Sequence, residues 1–161
     1  MNRLGRGALE LLAAALLILA GNAYLTRHAV DGRAPPLPHA ALNGRALPVA
    51  AGHVLLIDFF ATWCPICRAD QGAVQAVARH APVVVVATQS PVAAVRAFAT
   101  DHHWHTPVVL DRHGRIARRY GVHVLPMAFI LGPRGRIRFV AAGYMTEAGL
   151  LARLWLARLH L

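Results

Sequence analysis

Two apolar runs of strand length, His53–Phe60 (HVLLIDFF) and Pro82–Ala87 (PVVVVA), constrain the fold of this chain more than any other feature. A strand with one wet face alternates polar and apolar residues, whereas an unbroken run suits a central strand covered on both faces. Between the two runs, residues 65–80 place Ile66, Val74 and Val77 at helical spacing, and Pro65 suits a first helical turn. A second helix is expected after Ser90-Pro91, with Ser90 as its N-cap. A strand at 107–110, a short helix at 114–120, strands at 127–132 and 136–141 joined by the Gly132–Gly135 turn, and a closing amphipathic helix from Thr146 to about Leu159 follow. The order β-α-β-α-β-α-β-β-α predicts an α/β fold with a mixed central sheet flanked by helices. Ahead of it, Asn43-Gly44 lies between short apolar runs, where both residues tolerate positive φ, and predicts an N-terminal β-hairpin extension. The last helix is also basic, so membrane contact is conceivable, but its apolar positions are those a sheet-covering helix requires.

With 161 residues, 57% of them hydrophobic, the chain suits one compact domain plus an appendage. The appendage is at the amino end. Arg3 and Arg6 precede an apolar stretch from Ala8 to Leu25 broken only by Glu10, Gly21 and Asn22. Gly21-Asn22-Ala23 is an imperfect cleavage site, so residues 1–25 are read as an uncleaved signal-anchor or transmembrane helix rather than a removable signal peptide. Either alternative translocates the remainder and holds the amino terminus in the cytoplasm, although Arg27 and Arg33 weaken the asymmetry. Residues 26–36, rich in Pro, charge and small side chains, are expected to be an extended tether, and 37–161 the globular domain. The expected location is a bacterial inner membrane, single pass, with the domain in the periplasm, or secretion if the segment is cleaved.

The net charge of +10 is carried wholly by arginine and opposed by seven carboxylates. The arginines fall mostly in short turn-like segments, and no nucleic-acid-binding signature accompanies them. A basic, solvated surface is the reading, not a nucleic-acid site.

Both cysteines, Cys64 and Cys67, lie in IDFFATWCPICRAD, straight after the first apolar run. A short loop then a helix beginning at Pro65 places Cys64 at the positive end of a helix dipole, where a thiolate is stabilised and nucleophilic. As an inert staple the pair would constrain the unfolded chain weakly, since loop-closure entropy grows with loop length. As a metal site it supplies two of the four ligands zinc takes, which His102, His103 and His105 could complete. That histidine cluster, taken alone, is read as a solvated helix end. A redox pair in an oxidising compartment is favoured over both alternatives.

The segment DFFATWCPIC resembles the active site of the thioredoxin superfamily. ATWCPICRAD, the later VLPMAFIL and AAGYMTE resemble its membrane-tethered TlpA/ResA/CcmG (DsbE) branch, and GYMTEAGLLARLWLA resembles the ending of suppressor-of-copper-sensitivity D proteins. The resemblance spans about residues 37–158. It implies a thioredoxin fold and a protein-disulfide oxidoreductase in which Cys64 attacks and Cys67 resolves. It also implies a cis peptide at Pro126, substrate contact through Pro126, Leu125 and Trp63, and no cofactor. Asp58 occupies the position of the superfamily's buried acid and Asp70 that of the ResA-like branch; either could take a proton from Cys67. Having both departs from many tethered relatives. Asp58 is expected to be the more buried, with an exposed, arginine-paired Asp70 the alternative. The implied partners are protein thiol or disulfide substrates and a membrane electron donor of the DsbD/ScsB type. A copper-binding or copper-delivery module using the cysteines with histidines such as His123 is the second functional class.

Overall fold

The two apolar runs form the centre of a five-stranded sheet in the computed structural model, which describes residues 3–38 and 41–159. They become β1 (Leu55–Phe60) and β2 (Val83–Thr88), buried along their whole length, as is β4 (Met127–Leu131). With β3 (Val108–Asp111) and β5 (Ile137–Ala142) the order is β3-β2-β1-β4-β5. The β1–β2 and β2–β3 pairs are parallel, and β1–β4 and β4–β5 antiparallel, so the sheet is mixed as expected. The helices are α1 (Arg3–Leu25), α2 (Pro65–Val77), α3 (Val92–Asp101), α4 (Arg115–Tyr120) and α5 (Glu147–Leu159).

Alternation along β1 splits the core. Leu56 and Phe60 face α2, α3 and α5, where they meet Val74, Val77, Val95, Leu150 and Leu154. Leu55, Ile57 and Phe59 face the other side, against Ile116, Ala117 and Tyr120 of α4. There the rings of Phe59, Tyr120 and Phe129 pack with centroids 5.0–5.6 Å apart, within the usual aromatic pairing range. The closing helix α5 covers the sheet through Leu150, Leu154 and Ala157.

Because α4 is only six residues long, the second face is completed by the amino-terminal segment. The expected extended tether at residues 26–36 instead begins with a turn that continues α1, the Ala29 N–H donating to the Thr26 carbonyl at 2.9 Å, and then lies along the domain. The Val30 N–H donates to the Tyr120 carbonyl (3.0 Å), Ala34 N–H to that of Gly135 (3.1 Å), and Ile137 N–H to that of Gly32 (2.7 Å). The Tyr120 hydroxyl donates to the Pro35 carbonyl at 2.6 Å. Burial moves that hydroxyl's pKa up to about 12. Gly121, in the left-handed conformation at φ 68°, is where the segment comes closest: any Cβ there would collide with the His28 carbonyl.

Asn22, near the end of α1, closes the free edge of β5. Its Nδ2 donates to the Val140 carbonyl and its Oδ1 accepts the Ala142 N–H, both at 3.1 Å, which satisfies groups an edge strand leaves unpaired. Leu11, Leu17 and Ile18 of the same helix are more than two-thirds exposed. Among the described residues, no helix is long and apolar enough to cross a membrane.

One local expectation differs. Ser90 is not a cap, since α3 begins after Pro91 without a side-chain cap bond. The Ser90 hydroxyl instead donates to the Thr88 carbonyl and accepts from the Thr62 N–H, because the chain must turn back toward the cysteine loop at that point. The Asn43-Gly44 turn forms, with Gly44 at φ 77° and its N–H donating to the Ala41 carbonyl at 2.9 Å. The Ala41 N–H donates to the Arg45 carbonyl at 2.8 Å and Ala46 takes part in a β-bridge, as the second arm of a hairpin does. Residues 39–40, part of the first arm, lie outside the described residues.

Candidate active site

The site begins where β1 stops. After Phe60 the chain turns, with the Cys64 N–H donating to the Ala61 carbonyl at 3.1 Å and the Thr62 N–H to Ser90 Oγ at 3.1 Å. The Trp63 indole N–H donates to the Gln89 carbonyl at 3.0 Å, which pins the ring beside the cysteines and leaves it 59% exposed. Gln89 takes φ 46°, unusual for a side-chain-bearing residue, and so aims its carbonyl at the loop.

Cys64 is the N-cap of α2, at φ −89° and ψ 112°, with Pro65 in the first turn. Its sulfur accepts the Cys67 N–H at 3.2 Å, so one of the free donors at a helix start is spent on sulfur. The two cysteines are joined as a disulfide with a Cα–Cα separation of 5.3 Å, an ordinary span for a bridge. Cys64 reaches the surface at 6% exposure, whereas Cys67 is sealed. Across from them the Leu125–Pro126 peptide is cis, and the Leu125 carbonyl oxygen lies 3.9 Å from Cys64 Sγ. The Pro126 carbonyl accepts the Gly143 N–H at 3.0 Å, which ties the cis-proline loop to the GYMTE segment. Trp63, Ile66 and Tyr144 are each at least half exposed.

Both predicted acids are brought beneath this surface. Asp58 is on the face of β1 that meets α2, and Asp70 follows Cys67 by one helical turn; both are fully buried. Asp70 is therefore neither exposed nor arginine-paired, because the turn of α2 that carries it packs under the sheet-covering layer that includes Met145. Burial pushes the Asp58 carboxyl up to about 7, against the opposing pull of a 2.8 Å hydrogen bond donated by the Gln71 amide. Burial, and then the nearby Asp58 charge, push Asp70 up to about 8, with the Met145 backbone pulling weakly the other way. Asp58 Oδ1, both Asp70 oxygens and Gln71 Oε1 are buried without a hydrogen-bond partner of good geometry. Such unsatisfied carboxyls favour the protonated form. Gln71 and Gln89 were not singled out from sequence. A polar residue at the buried stripe of an otherwise apolar helix face was the signal for Gln71; nothing local marks Gln89.

The histidines at 102, 103 and 105 stay at the end of α3, where the His102 ring stacks on Phe98 with centroids 3.9 Å apart. His123 lines the cleft that opens on Cys64 and packs edge-on against His28 at 4.9 Å. Among the described residues, no group of three or more His, Cys, Asp or Glu side chains is placed to hold a metal ion.

A mixed sheet ending in a helix capped by Cys-x-x-Cys, with a cis-proline opposite, defines the thioredoxin-like class. The chain belongs to the AhpC/TSA family, whose profile matches residues 37–140. A DsbE homolog of Paracoccus denitrificans, named a thiol:disulfide interchange protein, is 35% identical over 92 residues, 56% of this chain and 51% of that protein. YneN of Bacillus subtilis, a thioredoxin-like protein, is 32% identical over 124 residues, covering 71% of this chain and 72% of its own length. The thiol-disulfide oxidoreductase ResA of Geobacillus thermodenitrificans is 26% identical over 129 residues, 76% of this chain and 74% of its own. The chain thus spans about half the length of the Paracoccus relative and about three quarters of the other two.

Solved structures share the fold. A thiol:disulfide interchange protein of Chlorobium tepidum superposes with a TM-score of 0.71 at 20% identity, covering 80% of this chain and 97% of that one. A secreted disulfide oxidoreductase of Mycobacterium tuberculosis gives 0.66 at 24% identity, covering 74% and 95%.

Proposed function

We propose that this chain is an extracytoplasmic, membrane-associated thiol-disulfide oxidoreductase that reduces protein disulfides through Cys64 and Cys67. The observation that carries the reading is the asymmetry of the pair. One sulfur caps a helix at the surface and accepts a backbone N–H, while the other is sealed above two acids held toward neutrality. A thiolate is favoured at Cys64 by the helix terminus, and Cys67 stays a protonated thiol until needed.

In the reducing direction the Cys64 thiolate attacks one sulfur of the substrate disulfide, and the other substrate sulfur leaves as a thiolate. The chain is then linked to its substrate by a mixed disulfide. Cys67 gives its proton toward the buried acid pair and attacks Cys64 Sγ, so the second substrate sulfur leaves. Two electrons have passed to the substrate, and the chain ends as the Cys64–Cys67 disulfide. Asp58 and Asp70, with pKa values near the working pH, suit that proton transfer. Leu125 and Pro126 offer backbone beside the attacking sulfur, and Trp63 an exposed apolar contact. A membrane dithiol donor of the kind the resemblance implies would return the chain to its reduced state. The exposed leucines of α1 would keep the domain close to that donor, and the basic and apolar amino-terminal segment and the resemblance to the membrane-tethered branch support a periplasm-facing location. The resemblance to suppressor-of-copper-sensitivity D proteins rests on the GYMTE ending and refines this reading without changing its chemistry.

Replacing Cys67 by Ser is expected to trap the mixed disulfide through Cys64, visible by mass spectrometry as a covalent adduct. Replacing Cys64 by Ser should abolish both adduct and turnover. Disulfide reduction that persists without Cys64 would refute the reading. Thiol alkylation in cells reads direction: a mainly dithiol population is expected, and a mainly disulfide one would reverse the electron flow.

A further inference from the structure

The cleft that opens on Cys64, about 250 Å³ in volume, is bounded by Trp63 on one side and by α4 with its preceding turn on the other. Two polar side chains converge in it. Gly114 sits at φ 64°, and where its Cβ would be, Arg118 Nη1 approaches to 3.4 Å and the Gln89 amide nitrogen to 3.5 Å. A guanidinium and a carboxamide NH₂ therefore share the space over one glycine, in the same cleft as the attacking sulfur. Arg118 is steadied by donation to the His113 carbonyl at 2.9 Å, which uses one of its five N–H groups and leaves the others for a ligand. Gln89 is held from the other side, since its carbonyl is occupied by the Trp63 indole. The ion pair Arg79–Glu147 lies on a different part of the surface, and no carboxylate among the described residues pairs with Arg118. Arg112, Arg115 and Arg119 are exposed around it and reinforce the positive field.

We propose that Arg118 and Gln89 form a carboxylate subsite that selects protein disulfides with an Asp or Glu flanking the cysteine Cys64 attacks. The inference rests on the oxidoreductase reading above and adds the substrate class. Two donor groups of this shape match the two oxygens of a carboxylate. A side chain next to the substrate cysteine is within reach of a cleft that Cys64 itself lines.

The test uses the full chain and three disulfide-bonded peptides that differ only in Glu, Gln or Lys beside the cysteine. At low ionic strength, kcat/KM is expected to favour Glu over Gln by about two- to five-fold, the upper part of the range for an exposed charge pair. Arg118→Gln should bring that ratio close to one, and Arg118→Glu should invert it in favour of Lys. Arg96→Gln removes the same charge from the exposed face of α3 and should leave the ratio as it is. A wild-type ratio near one, or an equal fall with Arg96→Gln, overturns the subsite. Binding of the same three peptides with Ser in place of Cys, followed by calorimetry, separates the two layers. An Arg118-dependent preference for Glu without turnover of any peptide sustains the subsite and sinks the oxidoreductase reading; turnover with no Arg118-dependent preference does the reverse.

Discussion

Replacing Asp58 by Asn should make the chain more stable, and increasingly so as pH rises. The folded protein holds the Asp58 proton up to about pH 7, against 3.8 for an ordinary side chain. The folded state therefore binds more protons than the unfolded state between these values. Stability is full below about pH 4, falls as pH rises, and levels off above the folded pKa. Over the roughly three pH units between them, at 1.36 kcal/mol per unit, one proton contributes about 4 kcal/mol of lost stability. Asp58 is fully buried, so solvent screening does not reduce the figure. The Asn carboxamide keeps an acceptor for the Gln71 amide and carries no charge to desolvate. Urea unfolding of the oxidised chain and the variant across pH 4.5–8 gives the difference directly; titrations away from the site cancel, while Asp70, which the Asp58 charge also pushes up, adds to the variant's gain at high pH. That difference should widen by about 1.4 kcal/mol per pH unit between pH 5 and 6.5 and then flatten at about 4 kcal/mol or more. Parallel curves, or a variant that loses ground as pH rises, would show that Asp58 is charged in the folded state and refute the account of the site.

Asp70→Asn is expected to slow turnover at pH 7 by about 10²-fold, the usual scale of a lost proton acceptor, while single-turnover attack by Cys64 in a Cys67→Ser background keeps its rate. Asn22→Ala removes two contacts to β5 and should cost about 1–2 kcal/mol, with faster hydrogen exchange at the Ala142 amide as its local signature. Gly121→Ala sets a Cβ against the His28 carbonyl at a left-handed φ. It should cost about 2–3 kcal/mol or release residues 26–36, which limited proteolysis within that segment would detect.

Much of the site was legible locally because its parts are close in sequence. The strand end, the loop, the capping cysteine and its partner occupy one 14-residue stretch, and a Pro at N1 after a buried strand has few alternatives. The cis-proline loop came from resemblance, since nothing about X-Pro in isolation implies a cis bond. The burial of Asp70 was not legible. Helical spacing put it on the face of Cys67, but whether that turn meets water depends on the GYMTE segment some 75 residues later.

The amino-acid sequence by itself determined the element order from β1 to α5, the doubly covered central strands and the position of Cys64 at a helix start. These follow from periodicity and from local cap chemistry. Only the tertiary structure decided what covers each surface. It laid residues 26–36 along the face that the short α4 leaves open, sealed Asp58, Asp70 and Cys67 in one buried layer, and brought Arg118 and Gln89 together over Gly114. Burial depends on contacts between segments distant in the chain, and a carboxyl's proton affinity depends on burial; neither is a property of the residue or its neighbours in sequence.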